Sequence, residues 1–209
     1  MSIVLNILGG LLAGLLASYV FWLYLRSQKP RISISSKVIK RPHPYRRNLW
    51  EYKFRIRNER NRPALNVRAK ADLVNVEPNK LLRGLGLPLT HDEVLVLPPL
   101  SREEKLGVHS FTIDVYSLDL RRLAGLGFDE TTVSDLSVKI REKTIELEDL
   151  LRHFSFLRID ILATDPVSNM STGFQATYLL HDIKPFHDFV DVELEPAPLS
   201  EADGGREEE

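Results

Sequence analysis

The chain has no cysteine among its 209 residues. That leaves no thiol nucleophile and no cysteine-held zinc, and it agrees with a reducing compartment without demanding one. His-Glu-x-x-His, a Gly-rich P-loop and Gly-x-Ser-x-Gly are also missing, so the common metalloprotease, nucleotide-binding and serine-hydrolase signatures are excluded. Gly84-Leu85-Gly86 and Gly125-Leu126-Gly127 are too short for a phosphate fingerprint and fit turns. His181-Asp182 and His187-Asp188 are spaced like a weak metal pair, and Asp165 and Asp182 lack a partner base at recognisable spacing. Exposed strand-end side chains explain these residues more simply. Neither a cofactor nor a metal is expected, and the chain does not read as an enzyme.

Charge is missing from the first 25 residues. Ile3–Leu25 is an uncharged run containing thirteen Leu, Ile, Val or Phe residues, with Asn6 as its one strongly polar side chain. As a helix it would be roughly 35 Å long, enough for a ~30 Å hydrocarbon core. A cleaved signal peptide would need a basic start, a shorter apolar core and a small-residue end. Here the run ends in Tyr19, Val20, Phe21, Trp22, Leu23 and Tyr24, which reads as an interfacial aromatic belt. Residues 1–28 are therefore expected to be a retained transmembrane helix and its flank. Arg26, Lys29, Arg31, Lys37, Lys40 and Arg41 follow the run, so the positive-inside rule puts the rest of the chain in the cytoplasm, at the cell membrane. The sequon Asn169-Met170-Ser171 would then be irrelevant. Gly10, Gly14 and Ser18, beside Gly9, Ala13 and Ala17, form two small-residue rows. Such rows let helix backbones approach closely, so a homo-oligomer through the helix is expected.

The net charge of −1 hides an asymmetry. Fifteen Lys or Arg lie between Arg26 and Lys70 against only Glu51 and Glu59, so that stretch carries +13 and the remainder −14. A basic block beside a membrane helix attracts anionic lipid at about 1 kcal/mol per cation near the surface. The expected lipid-binding residues are Arg26, Lys29, Arg31, Lys40, Arg41, Arg46 and Arg47. An acidic protein segment, for instance on a membrane protein partner, is an alternative occupant, and a plain solvated face needs none. Nucleic acid is not expected, because few aromatics accompany the cations. Residues 196–209 are rich in Ser, Glu, Asp and Gly, close on Glu207, Glu208 and Glu209, and are expected to be a disordered acidic tail.

Residues 29–195 suffice for one core. In Leu49–Asn58, Trp50, Tyr52, Phe54 and Ile56 alternate with charged residues, and in Ala64–Val74, Leu65, Val67, Ala69, Ala71 and Leu73 do the same. Further strands are expected at Arg31–Ile39, Glu93–Leu97, Ser110–Val115, Leu157–Thr164 and Phe174–His181. About seven short strands give a mainly β chain, an immunoglobulin-like β-sandwich. Short helices are expected at Ser117–Leu123 and at Thr144–Phe154 with Thr144 as N-cap, and a loop at Pro78–Asp92. If the two clearest strands form a hairpin, Lys53, Arg55 and Arg57 lie near Arg68 and Lys70 on one face, at a cost in repulsion.

Two segments resemble the cytoplasmic immunoglobulin-like domain of inward-rectifier potassium channels. The first is Tyr52–Asn61 followed by Asn66–Ala71, similar to that family's strand, Asn-containing turn and strand. The second is Ile159–Thr164, Asp165–Gln175, Ala176-Thr177-Tyr178 and Asp182-Ile183, with Phe189-Val190-Asp191 resembling its closing strand. The chain departs in having one apolar run, no filter loop, and Pro185-Phe186 where the family tends to have Gly. The resemblance implies a domain held under a membrane, with basic residues at the junction meeting lipid headgroups. A part in an ion-channel-like assembly is the alternative to a lipid-sensing or interaction domain.

Overall fold

The computed structural model describes residues 2–27, 29–46, 48–76, 83–100, 107–119 and 128–185. The first element is α1 (Ser2–Ser27), 26 residues long. Its described side chains run unbroken from Gly9 to Leu25 and are exposed along almost their whole length. Among the described residues, no helix is long and apolar enough to cross a membrane. The transmembrane span expected from the sequence is thus no established feature of the fold.

After α1 come β1 (Ile32–Ile34), β2 (Val38–Pro42), β3 (Trp50–Asn58), β4 (Ala64–Asn75), β5 (Arg83–Leu87), β6 (Glu93–Leu97) and β7 (Val108–Ile113). Then follow α2 (Glu130–Glu142), α3 (Leu147–Leu151), β8 (Phe156–Thr164), β9 (Ser171–Tyr178) and β10 (Ile183–Pro185). One sheet runs β10–β2–β3–β7, with β1 continuing along the same edge of β3 beyond β2. The other runs β9–β8–β4, with β5 and β6 sharing the far edge of β4. Inward residues of β3 (Tyr52, Phe54, Ile56), β4 (Val67, Ala69, Ala71, Leu73) and β8 (Leu157, Ile159, Ile161, Ala163) fill the space between them. A β-sandwich of two sheets is what the period-two pattern led one to expect.

Four local expectations are corrected. The strand expected at Arg31–Ile39 is two, because Ser35 breaks it. Its side chain donates to the Lys37 carbonyl at 2.9 Å and accepts from the Arg55 amide at 3.1 Å. The hairpin of β3 with β4 does not form, since the turn after Asn58 carries the chain from one sheet to the other. Arg55 and Arg68 therefore sit in opposite sheets, and the repulsion expected between the strands is relieved. The Pro78–Asp92 loop contains β5, where Leu85 and Leu87 are buried and alternate with Gly84 and Gly86. The helix at Thr144–Phe154 is shorter and capped by Glu146, whose backbone amide donates to Asp149 at 3.2 Å. Most of Ser117–Leu123, and all of the tail at 196–209, lie outside the described residues, as does Phe189-Val190-Asp191.

α2 was not foreseen. Asp129 caps it by accepting from the Thr132 amide, Leu136 and Ile140 anchor it one turn apart, and Lys143 ends it in the left-handed conformation at φ 57°.

Candidate functional site: the end of the sandwich joined to α1

Strand direction decides what meets α1. Ile32 of β1 pairs with Asn58 at the end of β3, and Ala64 at the start of β4 pairs with Leu97 at the end of β6. Thr164 and Ser171, the end of β8 and start of β9, also pair. Residues 29–31 and the turns 59–63 and 165–170 therefore gather at one end. The start of β3 lies at the other, roughly 26 Å away at ~3.3 Å per residue.

Asn58 builds the near end. It is fully buried, and its amide nitrogen faces the carbonyls of Arg62 at 2.7 Å, Leu97 at 3.2 Å and Pro98 at 3.2 Å. Its oxygen accepts from the Arg60 amide at 3.0 Å, and its backbone N–H donates to Gly107 at 2.8 Å. The Glu59 amide donates to the Arg31 carbonyl at 2.8 Å, tying the turn to the connector. The Arg60 guanidinium donates to the carbonyl of Ser27, the last residue of α1. A cavity of about 350 Å³ opens here, with Arg31, Arg60 and Arg62 in its wall. It adjoins a groove of about 1210 Å³ along β1 and β9 that shares Arg31 and Glu59.

Six of the fifteen cations of the basic block are neutralised internally. Lys40 lies 2.8 Å from both Glu146 and Glu148, and Arg41 and Lys53 each lie 2.9 Å from Glu51. Arg57 pairs with Glu59, Arg68 with Glu93 and Lys70 with Asp72. Burial works against the Lys40 ammonium, but hydrogen bonds and attraction from the two glutamates outweigh it and hold its pKa above the usual lysine value. Burial likewise opposes the Glu51 carboxylate, and Lys53 and Arg41 outweigh it, holding its pKa down. Among the described residues, no carboxylate lies within ion-pair distance of Arg31, Arg60 or Arg62, and the Arg60 Nε is buried without a partner. The two acids in the cavity wall are engaged elsewhere. Glu59 holds Ser33 and Arg57, and the buried Asp165 accepts from the amides of Val167 and Ser168 in its own turn.

The expected lipid-binding set is thereby divided. Lys29 and Arg31 stand at the α1 end. Lys40, Arg41 and the exposed Arg46 stand at the far end, because β2 runs away from α1. The side chains of Arg26 and Arg47 are outside the described residues. Lys40 is only 11% exposed, lies over the Trp50 ring at 4.8 Å and acts as a clamp for α3. Arg60 and Arg62 were counted in the basic block but not foreseen as site residues, since only the fold brings them to one cavity wall with Arg31. In α1, Gly10 and Gly14 have no neighbouring atom within 4 Å of a Cβ position, and Ser18 is exposed, so the small-residue row is uncovered among the described residues. Among the described residues, no cluster of three His, Asp or Glu that could hold a metal occurs. The turn carboxylate Asp165 is committed to its own loop, and His187-Asp188 lies outside the described residues. The chain matches no protein-family model and no curated protein.

Proposed function

We propose that the protein is a membrane-anchored, non-catalytic interaction domain that reads anionic lipid at the cell membrane with the sandwich on the cytoplasmic side. One observation carries this reading. Arg31, Arg60 and Arg62, which have no carboxylate partner among the described residues, line one cavity at the end of the sandwich that receives α1. The anchor itself is supported by the coincidence of the uncharged run Ile3–Leu25 with a helix of 26 residues, about 39 Å long at ~1.5 Å per residue. Exposed Tyr19, Trp22 and Tyr24, in the last third of α1, then fall near the headgroup level.

The test uses residues 29–209, whose core among the described residues runs from Ile32 to Ile183 and takes no side chain from α1. Flotation with anionic vesicles is expected at low salt and not at high salt, and not with neutral vesicles. Replacing Arg31, Arg60 and Arg62 by Gln should weaken binding about a hundredfold, at ~1 kcal/mol per cation. The same change at Lys40, Arg41 and Arg46 should leave binding nearly intact. Equal loss from both sets would refute the placement, and binding to neutral vesicles would refute the electrostatic reading.

A second reading is a subunit or accessory of an ion-channel-like assembly. The unfilled row Gly10, Gly14, Ser18 favours self-association, and the resemblance of Tyr52–Asn61 to inward-rectifier domains favours that setting. A closed ring in native mass spectrometry from lipid nanodiscs supports it, and a strict monomer removes it.

A further inference from the structure

We propose that the arginine cluster at the α1 end is covered in cis by the acidic C-terminal segment of the same chain, residues 196–209, which competes with the membrane for it. This rests on the cluster being an anion site, as above, but not on the anion being lipid.

Charge selects the occupant. Residues 196–209 hold five carboxylates against Arg206 and end on Glu207, Glu208 and Glu209. Elsewhere in the basic block Lys40, Arg41, Lys53, Arg57, Arg68 and Lys70 already have carboxylates, so an acidic segment gains little there. Arg31, Arg60 and Arg62 line one cavity whose two acids are engaged elsewhere, Glu59 by Ser33 and Arg57 and Asp165 by the amides of its own turn. Arg46 also has none among the described residues, but it stands alone at the far end.

Length agrees. The last described strand, β10, pairs parallel with β2, Pro185 opposite Lys40. From there back to Arg31 is the length of β2 and β1, about 30 Å at ~3.3 Å per residue. The chain continues for 24 residues beyond Pro185. A coil of that length has an r.m.s. span of about 27 Å, close to the separation, and a tether matched to its span gives a local concentration in the ~mM range. Contacts between exposed charges are individually weak and salt-sensitive, so a covering of this kind yields to a bilayer of dense negative charge.

The experiment places a spin label at Ser200→Cys, a unique thiol in a chain without cysteine, on residues 29–209. At low salt the amides of Arg31 and of residues 58–62 should be broadened, and those around Arg41 and Arg46 should not. The broadening should vanish at high salt, and in the variant with Arg31, Arg60 and Arg62 changed to Gln. Broadening spread evenly, or centred on Arg46, overturns the proposal. A second arm ends the chain at Glu195 and measures partition onto anionic vesicles, which should tighten about tenfold. Local broadening without vesicle binding by either form keeps the covering and defeats the lipid reading. Vesicle binding unaffected by the truncation, with no local broadening, keeps the lipid reading and defeats the covering.

Discussion

Replacing Asn58 by alanine tests whether one buried amide holds the arginine turn in place. The side chain satisfies the Arg60 amide and faces three carbonyls. Two amide protons cannot serve three carbonyls separately, so Leu97 and Pro98, both at 3.2 Å, share one. That makes about three hydrogen bonds, each worth ~1 kcal/mol net, with a further penalty for any buried carbonyl that water cannot reach. The expected loss is about 3 kcal/mol. At an assumed ~2 kcal/mol per M of urea, the unfolding midpoint of residues 29–209 falls by about 1.5 M with an unchanged slope. Asn58→Asp keeps the acceptor for Arg60 but turns a carboxylate toward three carbonyls. Its folded-state pKa must rise above the ordinary ~3.9. A raised folded pKa means the penalty is absent below the unfolded value and grows as pH climbs through the folded one. Measured against the wild type at each pH, Asn58→Asp should therefore recover toward acid while Asn58→Ala does not. A loss below ~1 kcal/mol for Asn58→Ala, or parallel pH curves for the two variants, would sink the argument.

Glu148→Ala removes the acceptor of the buried Tyr52 hydroxyl, 2.7 Å away, and one of the two partners of Lys40. It should cost about 2–3 kcal/mol, against ~1 kcal/mol for Tyr52→Phe, in the same urea assay, and equal costs would show that the phenol is not stranded. The depressed Glu51 pKa implies stability present above its ordinary value of 4.5 and lost as pH falls through the folded one. Glu51→Gln should therefore flatten acid unfolding monitored by circular dichroism, and an unaltered acid limb would count against the pairing with Arg41 and Lys53.

What the sequence revealed was whatever repeats locally. β3 and β8 bury every second side chain along nine-residue strands, and β4 does so from Val67 to Leu73, a pattern readable without neighbours. β5 was hidden because Gly84 and Gly86 signal turns, although Leu85 and Leu87 supply the burial. α2 was hidden because Thr131, Thr132 and Val133 are poor helix formers, and only Leu136 and Ile140 are buried there. The site was half legible. The excess of cations is a property of composition, but which cations remain unpaired is a property of the fold. Lys40 finds its acids more than a hundred residues along the chain, whereas Arg60 and Arg62 find none among the described residues.

The chain at Pro30 and Arg31 is fastened to the turn by Glu59, and the same turn reaches the end of α1 through Arg60 and Ser27. With α1 seated in a bilayer as proposed, a tilt of about 20° swings the far end of the ~30 Å sandwich sideways by roughly 10 Å. Bilayer thickness then becomes a mechanical input, and the loop bearing Tyr45 and Arg46 is the pointer that moves.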